Sequence, residues 1–171
     1  MMGHAPVTRF AVAMLGVFAS LVVQPAAAAT HKTAADPQAI VQVIYSREGV
    51  LNLEPSDRHK FFSTGVVALW AKADAKTLEG DIGPIDFDLA SNSQGMAIAS
   101  HKVKTEHADA THVTLAVTLV SRGEFIRHSP ADNVVRYEFI REGGRWVIDD
   151  MRSTVDGEPW TLRGLLEAAT H

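Results

Sequence analysis

Cysteine is absent from all 171 residues. That excludes a disulfide framework, and it also excludes the lipid-bearing cysteine that tethers many exported chains to a membrane. A basic excess is missing too. Sixteen Lys and Arg stand against twenty Asp and Glu, a formal charge of −4, whereas nucleic-acid binders carry the opposite balance, usually as a basic stripe. No apolar run reaches the roughly 20 residues that a membrane-spanning helix needs. The sequence holds no internal repeat, Ser-His-Asp order, phosphate-cradling glycine motif or cysteine nucleophile, so hydrolase and nucleotide-binding readings have no residues behind them.

What is present begins with an export signal. Arg9 is the sole charge in the leader, an apolar or small run follows from Phe10 to Val23, Pro25 breaks it, and Ala26 to Ala29 supply small side chains. Residues 1–29 therefore read as a cleavable secretory signal cut after Ala28 or Ala29, with an uncleaved anchor as the alternative. No paired arginine in the leader points to the twin-arginine route. Cleavage removes Arg9 alone among charged residues, leaving a balance of −5, no membrane anchor, and a periplasmic or secreted destination. Residues 30–35 are small and polar and read as a short flexible tail. Residues 36–171 form one domain, large enough to bury a core.

Within that domain Asp36 caps a first helix with Pro37 at its first position, and Ile40, Val43 and Ile44 fall on one face. Gly49 to Pro55 interrupts. Ser56 caps a second helix with Asp57 in its first turn and Phe62, Val66, Leu69 and Ala73 as its buried stripe; Gly65 weakens it in isolation. From Gly80 to Gly95 the residues are those of a structured loop. Strands are expected from about Met96 to His107 and from His112 to Val120, where Val113, Leu115, Val117 and Leu119 alternate with polar or small residues. Gly123 to Asn133 is a long connection or irregular strand. Asn133 to Arg141 and Arg145 to Ser153 make a final hairpin, and Trp160 to Ala169 a short closing helix.

A two-residue Gly143-Gly144 turn pairs Glu142 with Arg145, Phe139 with Ile148, Tyr137 with Asp150 and Val135 with Arg152. In that register Tyr137, Asp150 and Arg152 share a face with Phe139, Ile148 and Trp146. A bulge after Ile148 would reverse the face.

The order of elements resembles the cone-shaped fold of nuclear transport factor two, ketosteroid isomerase and cystatin-like proteins: two helices, a loop, then antiparallel strands ending in a Gly-Gly hairpin with Trp146-Val147-Ile148. More narrowly, Ile85-Asp86-Phe87-Asp88, Ser93-Gln94-Gly95, Trp146-Val147-Ile148-Asp149-Asp150-Met151 and Leu162-Arg163-Gly164-Leu165-Leu166 resemble an uncharacterised family of small bacterial envelope proteins. The resemblance implies an α+β domain in which a cone-like curved antiparallel sheet of about four strands carries two N-terminal helices and a short C-terminal one. Members are often lipoproteins, from which this chain departs by lacking cysteine. The family supplies no catalytic residues, and the fold does not choose between enzyme and binding module.

Three constellations could carry chemistry. Asp150 and Tyr137 are the catalytic candidates of an isomerase- or dehydratase-like site, the carboxylate as general acid or base in an apolar cone and the phenol as oxyanion donor. Together with Arg152 and Trp146 they also form the expected ligand-binding set, while a structural Asp150–Arg152 ion pair is the plainer alternative. Asp81, Asp86, Asp88 and Asn92 offer oxygen ligands without the closing Glu of a calcium loop, which favours local turn bonding. His101, His107 and His112 lie near one strand connection without a carboxylate support. No metal or cofactor is called for. The sequence therefore points to a non-catalytic module for a small apolar or polar ligand or an envelope protein partner. Val134, Ile140 and Val147 on the outer sheet face suggest a homodimer.

Overall fold

The computed structural model describes residue 1 and residues 36–46, 54–78, 80–95, 97–122 and 129–171. The expected leader beyond Met1, the tail, part of the 49–55 interruption and residues 123–128 of the long connection lie outside the described residues. Apart from Met1, everything described belongs to one unit, Lys32–His171.

The unit is α+β. Among the described residues, three helices, α1 (Pro37–Tyr45), α2 (Pro55–Phe61) and α3 (Thr64–Asp74), precede five strands. These are β1 (Ile98–Ala108), β2 (His112–Ser121), β3 (Val134–Glu142), β4 (Arg145–Val155) and β5 (Glu158–Thr161), and α4 (Leu162–Ala168) closes the chain. The strands form one open antiparallel sheet in sequence order. A 3-10 turn at Pro130–Asn133 leads into β3, closed by a reciprocal cap between Ser129 and Asp132.

Helix α1 starts as expected, with the Asp36 carboxylate accepting from the Gln38 amide at 2.8 Å. Its buried face is Val41, Ile44 and Tyr45, while Val43, expected inside, is 47% exposed. The expected second helix is two helices. Their break falls at Phe62-Ser63, where the Ser63 amide bonds the Ile148 carbonyl of β4 at 2.9 Å and the Ser63 hydroxyl caps α3 by accepting from Val66. Ser56 is not a cap, since Glu54 precedes Pro55 at the start of α2. In α3 Val66 and Ala73 are buried as expected, and Trp70 joins them, meeting Phe62 edge to face at 5.3 Å beneath the Arg58 guanidinium.

The fifth strand corrects the expected count of about four. The Trp160 end of the expected closing helix is instead strand, because Asp156 (φ 54°) and Gly157 (φ 85°) make a second tight hairpin. Gly143 and Gly144 turn the first with φ 58° and 81°; positive φ at both central residues is what this two-residue turn requires. The core joins Leu115, Val117 and Leu119 of β2 to Val135, Tyr137 and Phe139 of β3, Ile148 and Met151 of β4, and the apolar faces of α1, α3 and α4. Each fully buried side chain of this size contributes about 1.5–3 kcal/mol.

The expected register holds from Glu142–Arg145 to Phe139–Ile148 and then breaks. Glu138 faces Asp150, Tyr137 faces Met151, and Arg136 faces Arg152, leaving Asp149 as an extra residue. This bulge exchanges faces: Met151 goes into the core, and Asp150 and Arg152 leave the face that Tyr137 occupies.

Candidate functional site

The four residues expected to line one site are therefore dispersed. Tyr137 is wholly buried, its hydroxyl 3.0 Å from that of Tyr45, which in turn donates to the Ala90 carbonyl at 2.8 Å. Since the Tyr45 proton is used on Ala90, Tyr137 is the donor between the two phenols. Burial pushes both phenols well above their ordinary pKa. Arg152 pairs with Glu138 at 2.8 Å, not with Asp150, and Glu138 also accepts from Thr114. Trp146 lies under the Arg141 guanidinium, 4.8 Å from the ring centre.

Asp150 is half-buried beside the start of α4. One of its oxygens, Oδ1, accepts the amides of Met151 at 2.8 Å and Arg163 at 3.1 Å. Its neighbour Asp149 accepts from the Ser63 hydroxyl at 2.6 Å and the Arg163 guanidinium at 2.5 Å. The bulge thus fastens the first turns of α3 and α4 to β4. Gly65 leaves room for this clasp, because a Cβ there would come within 3.2 Å of Arg163 Nη2.

Desolvation raises the Asp150 pKa, outweighing the amide bonds that lower it. A carboxyl with a raised folded pKa holds its proton more tightly in the folded state. Its contribution to stability is present at low pH and is lost as pH rises through the folded pKa. Asp150→Asn keeps an oxygen for both amides and removes the charge. It is therefore expected to leave the melting temperature at pH 7 within about 3 °C of the parent. The parent should gain on the variant in a denaturation series as pH falls toward 4. A large loss at pH 7 would show that the ionised carboxylate itself is required.

The other two constellations resolve into turns. Asp88 accepts the amides of Ala90 and Ser91, which turns Leu89 and Ala90 into the core, and Asp86 accepts from the Gln94 side chain. His107 and His112 flank Asp109 in the β1–β2 turn, while His101 stacks on Tyr45 at 4.6 Å. Among the described residues no group of three or more His, Asp or Glu side chains converges on a metal-sized space. Val147, expected on an exposed apolar face, is fully buried.

The site that the residue pattern did not announce is a cleft of about 890 Å³ between the loop 86–95 and the β4–β5 hairpin. Phe87 and Trp160, 5.3 Å apart edge to face, line it with Val155, Pro159 and Leu165, and its acidic lining residues are Asp86, Asp132, Asp156 and Glu158. Asn92 holds the two walls together. Only 1% exposed and at φ 52°, it turns the two N–H groups of its amide toward three acceptors, the Asp132 and Thr154 carbonyls at 2.9 and 2.8 Å and the Ser153 hydroxyl at 3.1 Å, one hydrogen being shared. Its own oxygen accepts the Trp160 indole N–H at 2.9 Å. Asp132 closes the corner, accepting from Thr154 at 2.5 Å and from the Gly157 amide. One signal was available: Asp156-Gly157 marks a tight turn, which brings Val155 and Glu158 together beside Trp160. The partners of Asn92 lie 40 to 68 residues away in the chain, and no local pattern encodes that distance.

No protein family, curated protein or solved structure matches the chain.

Proposed function

We propose that this chain is an exported bacterial envelope protein of the cone-shaped fold typified by nuclear transport factor two, and that it acts as a non-catalytic module binding a small ligand. The observation that carries the binding reading is the cleft between the 86–95 loop and the β4–β5 hairpin. Its volume falls in the range of ligand sites, about 300–1,000 Å³, and it has an aromatic and aliphatic lining with a few polar groups. Its walls are positioned by buried side-chain bonds rather than left to solvent, which lowers the ordering cost of binding. The catalytic alternative loses support from the same geometry, since Tyr137 is sealed in the core and Asp150 is engaged at α4 on the other side of the bulge.

Native mass spectrometry of protein isolated from the envelope of its own cells tests the reading. A retained small-molecule mass is expected on the parent and not on Val155→Arg, which places a long charged side chain in the cleft. The intact mass also reports the mature N-terminus, expected at Ala29 or Thr30. Bare protein from both preparations would count against binding, and an uncleaved leader would count against a cleavable signal and for an anchor.

A further inference from the structure

We propose that the cleft selects organic cations, an amine or ammonium carried on an apolar body; this deepens the binding reading and rests on it. The cavity has two chemistries in one space. Phe87, Trp160, Val155, Pro159 and Leu165 offer apolar surface, and every formally charged side chain among its described lining residues is acidic. A concave apolar wall lined by one sign of charge concentrates the field and raises the local concentration of counter-ions.

The carboxylates are not equivalent. Asp132 is buried and accepts at least three hydrogen bonds, from the Ser129 and Gly157 amides and the Thr154 hydroxyl, so it fixes the corner of the cleft. Asp86 and Glu158 are exposed at opposite walls, one on the loop and one at the start of β5. Asp86 shares an oxygen with the Gln94 amide at 3.2 Å. An ammonium group held between these walls would keep its charge partly hydrated while its carbon body covers Val155 and Pro159. The Phe87 ring adds a π-face, and such contacts with cations are worth about 0.5–1 kcal/mol at exposed sites. An anion of the same shape meets repulsion with no cationic partner among the described lining residues.

The test uses two fluorescent probes that share a dansyl body and differ in their tail. Dansylcadaverine ends in an ammonium, and dansyl-6-aminohexanoate ends in a carboxylate. Titrated into the full mature chain at low salt, the ammonium probe is expected to bind at least tenfold more tightly and with blue-shifted emission. The double variant Asp86→Asn, Glu158→Gln should narrow that gap to threefold or less. Glu106→Gln, which removes a carboxylate paired with Arg136 elsewhere on the sheet, should leave the gap unchanged and so separates the cleft from general attraction to an acidic protein. Equal binding of both probes in the parent, or a gap that survives the double variant, would overturn cation selection while leaving the cleft as a binding site. No blue-shifted binding of either probe would overturn both.

Discussion

Asn92→Ala is expected to cost about 4 kcal/mol of unfolding free energy, a loss of more than about 10 °C in melting temperature for a chain of this size. Asn92 is the hub for four hydrogen-bonding partners from segments far apart in sequence, three of them sharing the two N–H groups of its amide. A net hydrogen bond contributes about 1 kcal/mol, and a buried group left without its partner costs about 1–3 kcal/mol. In the variant the Trp160 indole N–H loses its acceptor inside the protein, and the Asp132 and Thr154 carbonyls lose a donor. The left-handed backbone adds strain for alanine that asparagine tolerates better. Asn92→Gly separates the two causes, since it relieves the backbone and leaves the bonds broken; its loss should remain above about 2 kcal/mol. Chemical denaturation of both variants is the measurement, and a cost below about 1 kcal/mol for alanine would remove the hub from the account.

Deleting Asp149 should cost at least about 3 kcal/mol, more than Asp149→Gly at about 2 kcal/mol. Asp149→Gly removes the carboxylate that accepts from Ser63 and Arg163, leaving the Arg163 guanidinium two-thirds buried with one charge-assisted partner fewer; the deletion leaves a single Asp between Ile148 and Met151, which cannot serve the partners of both Asp149 and Asp150. Only the deletion also removes the extra residue. It straightens β4 where the Ile148 carbonyl receives the Ser63 amide, and it re-aims the carbonyl after Ile148 that accepts from Arg163 Nε. Equal losses in the two variants, by denaturant titration, would mean that the bulge has no role beyond displaying its carboxylate.

The same bulge marks the limit of what the sequence tells about the hairpin. The turn at Gly143-Gly144 and the pairs from Glu142–Arg145 to Phe139–Ile148 follow from glycine chemistry and alternation. Beyond Ile148 the spacing itself contains the warning. Ile148 and Met151 are three apart, an odd interval that a strand of period two cannot place on one face. Both are fully buried in the same core, so an extra residue has to lie between them, and Asp149-Asp150 is the polar doublet that absorbs it. Reading the segment as regular put Asp150 beside Tyr137, and the site drawn from that pairing dissolves with it.

Elsewhere the local signals and the long-range ones separate cleanly. Asp36 with Pro37, the alternation in β2 and the loop chemistry of 80–95 are local, and they are legible. Ser63 has the side chain of a cap, but the helical stripe running through Phe62 and Val66 conceals the break, which the Ile148 carbonyl completes from 85 residues away. The cleft is of the same kind: each wall is recognisable as turn or loop, whereas their juxtaposition depends on Asn92 finding Trp160.

The pair of phenols in the core gives the molecule a built-in optical reporter. Tyr45 and Tyr137 are the only tyrosines in the chain, and in the folded state both resist ionisation because burial disfavours the phenolate. An unfolded chain releases those protons near pH 10. Alkali therefore draws the protein toward unfolding, and ultraviolet absorbance of tyrosinate rises with the loss of structure itself, so a simple base titration counts opened molecules without any attached label.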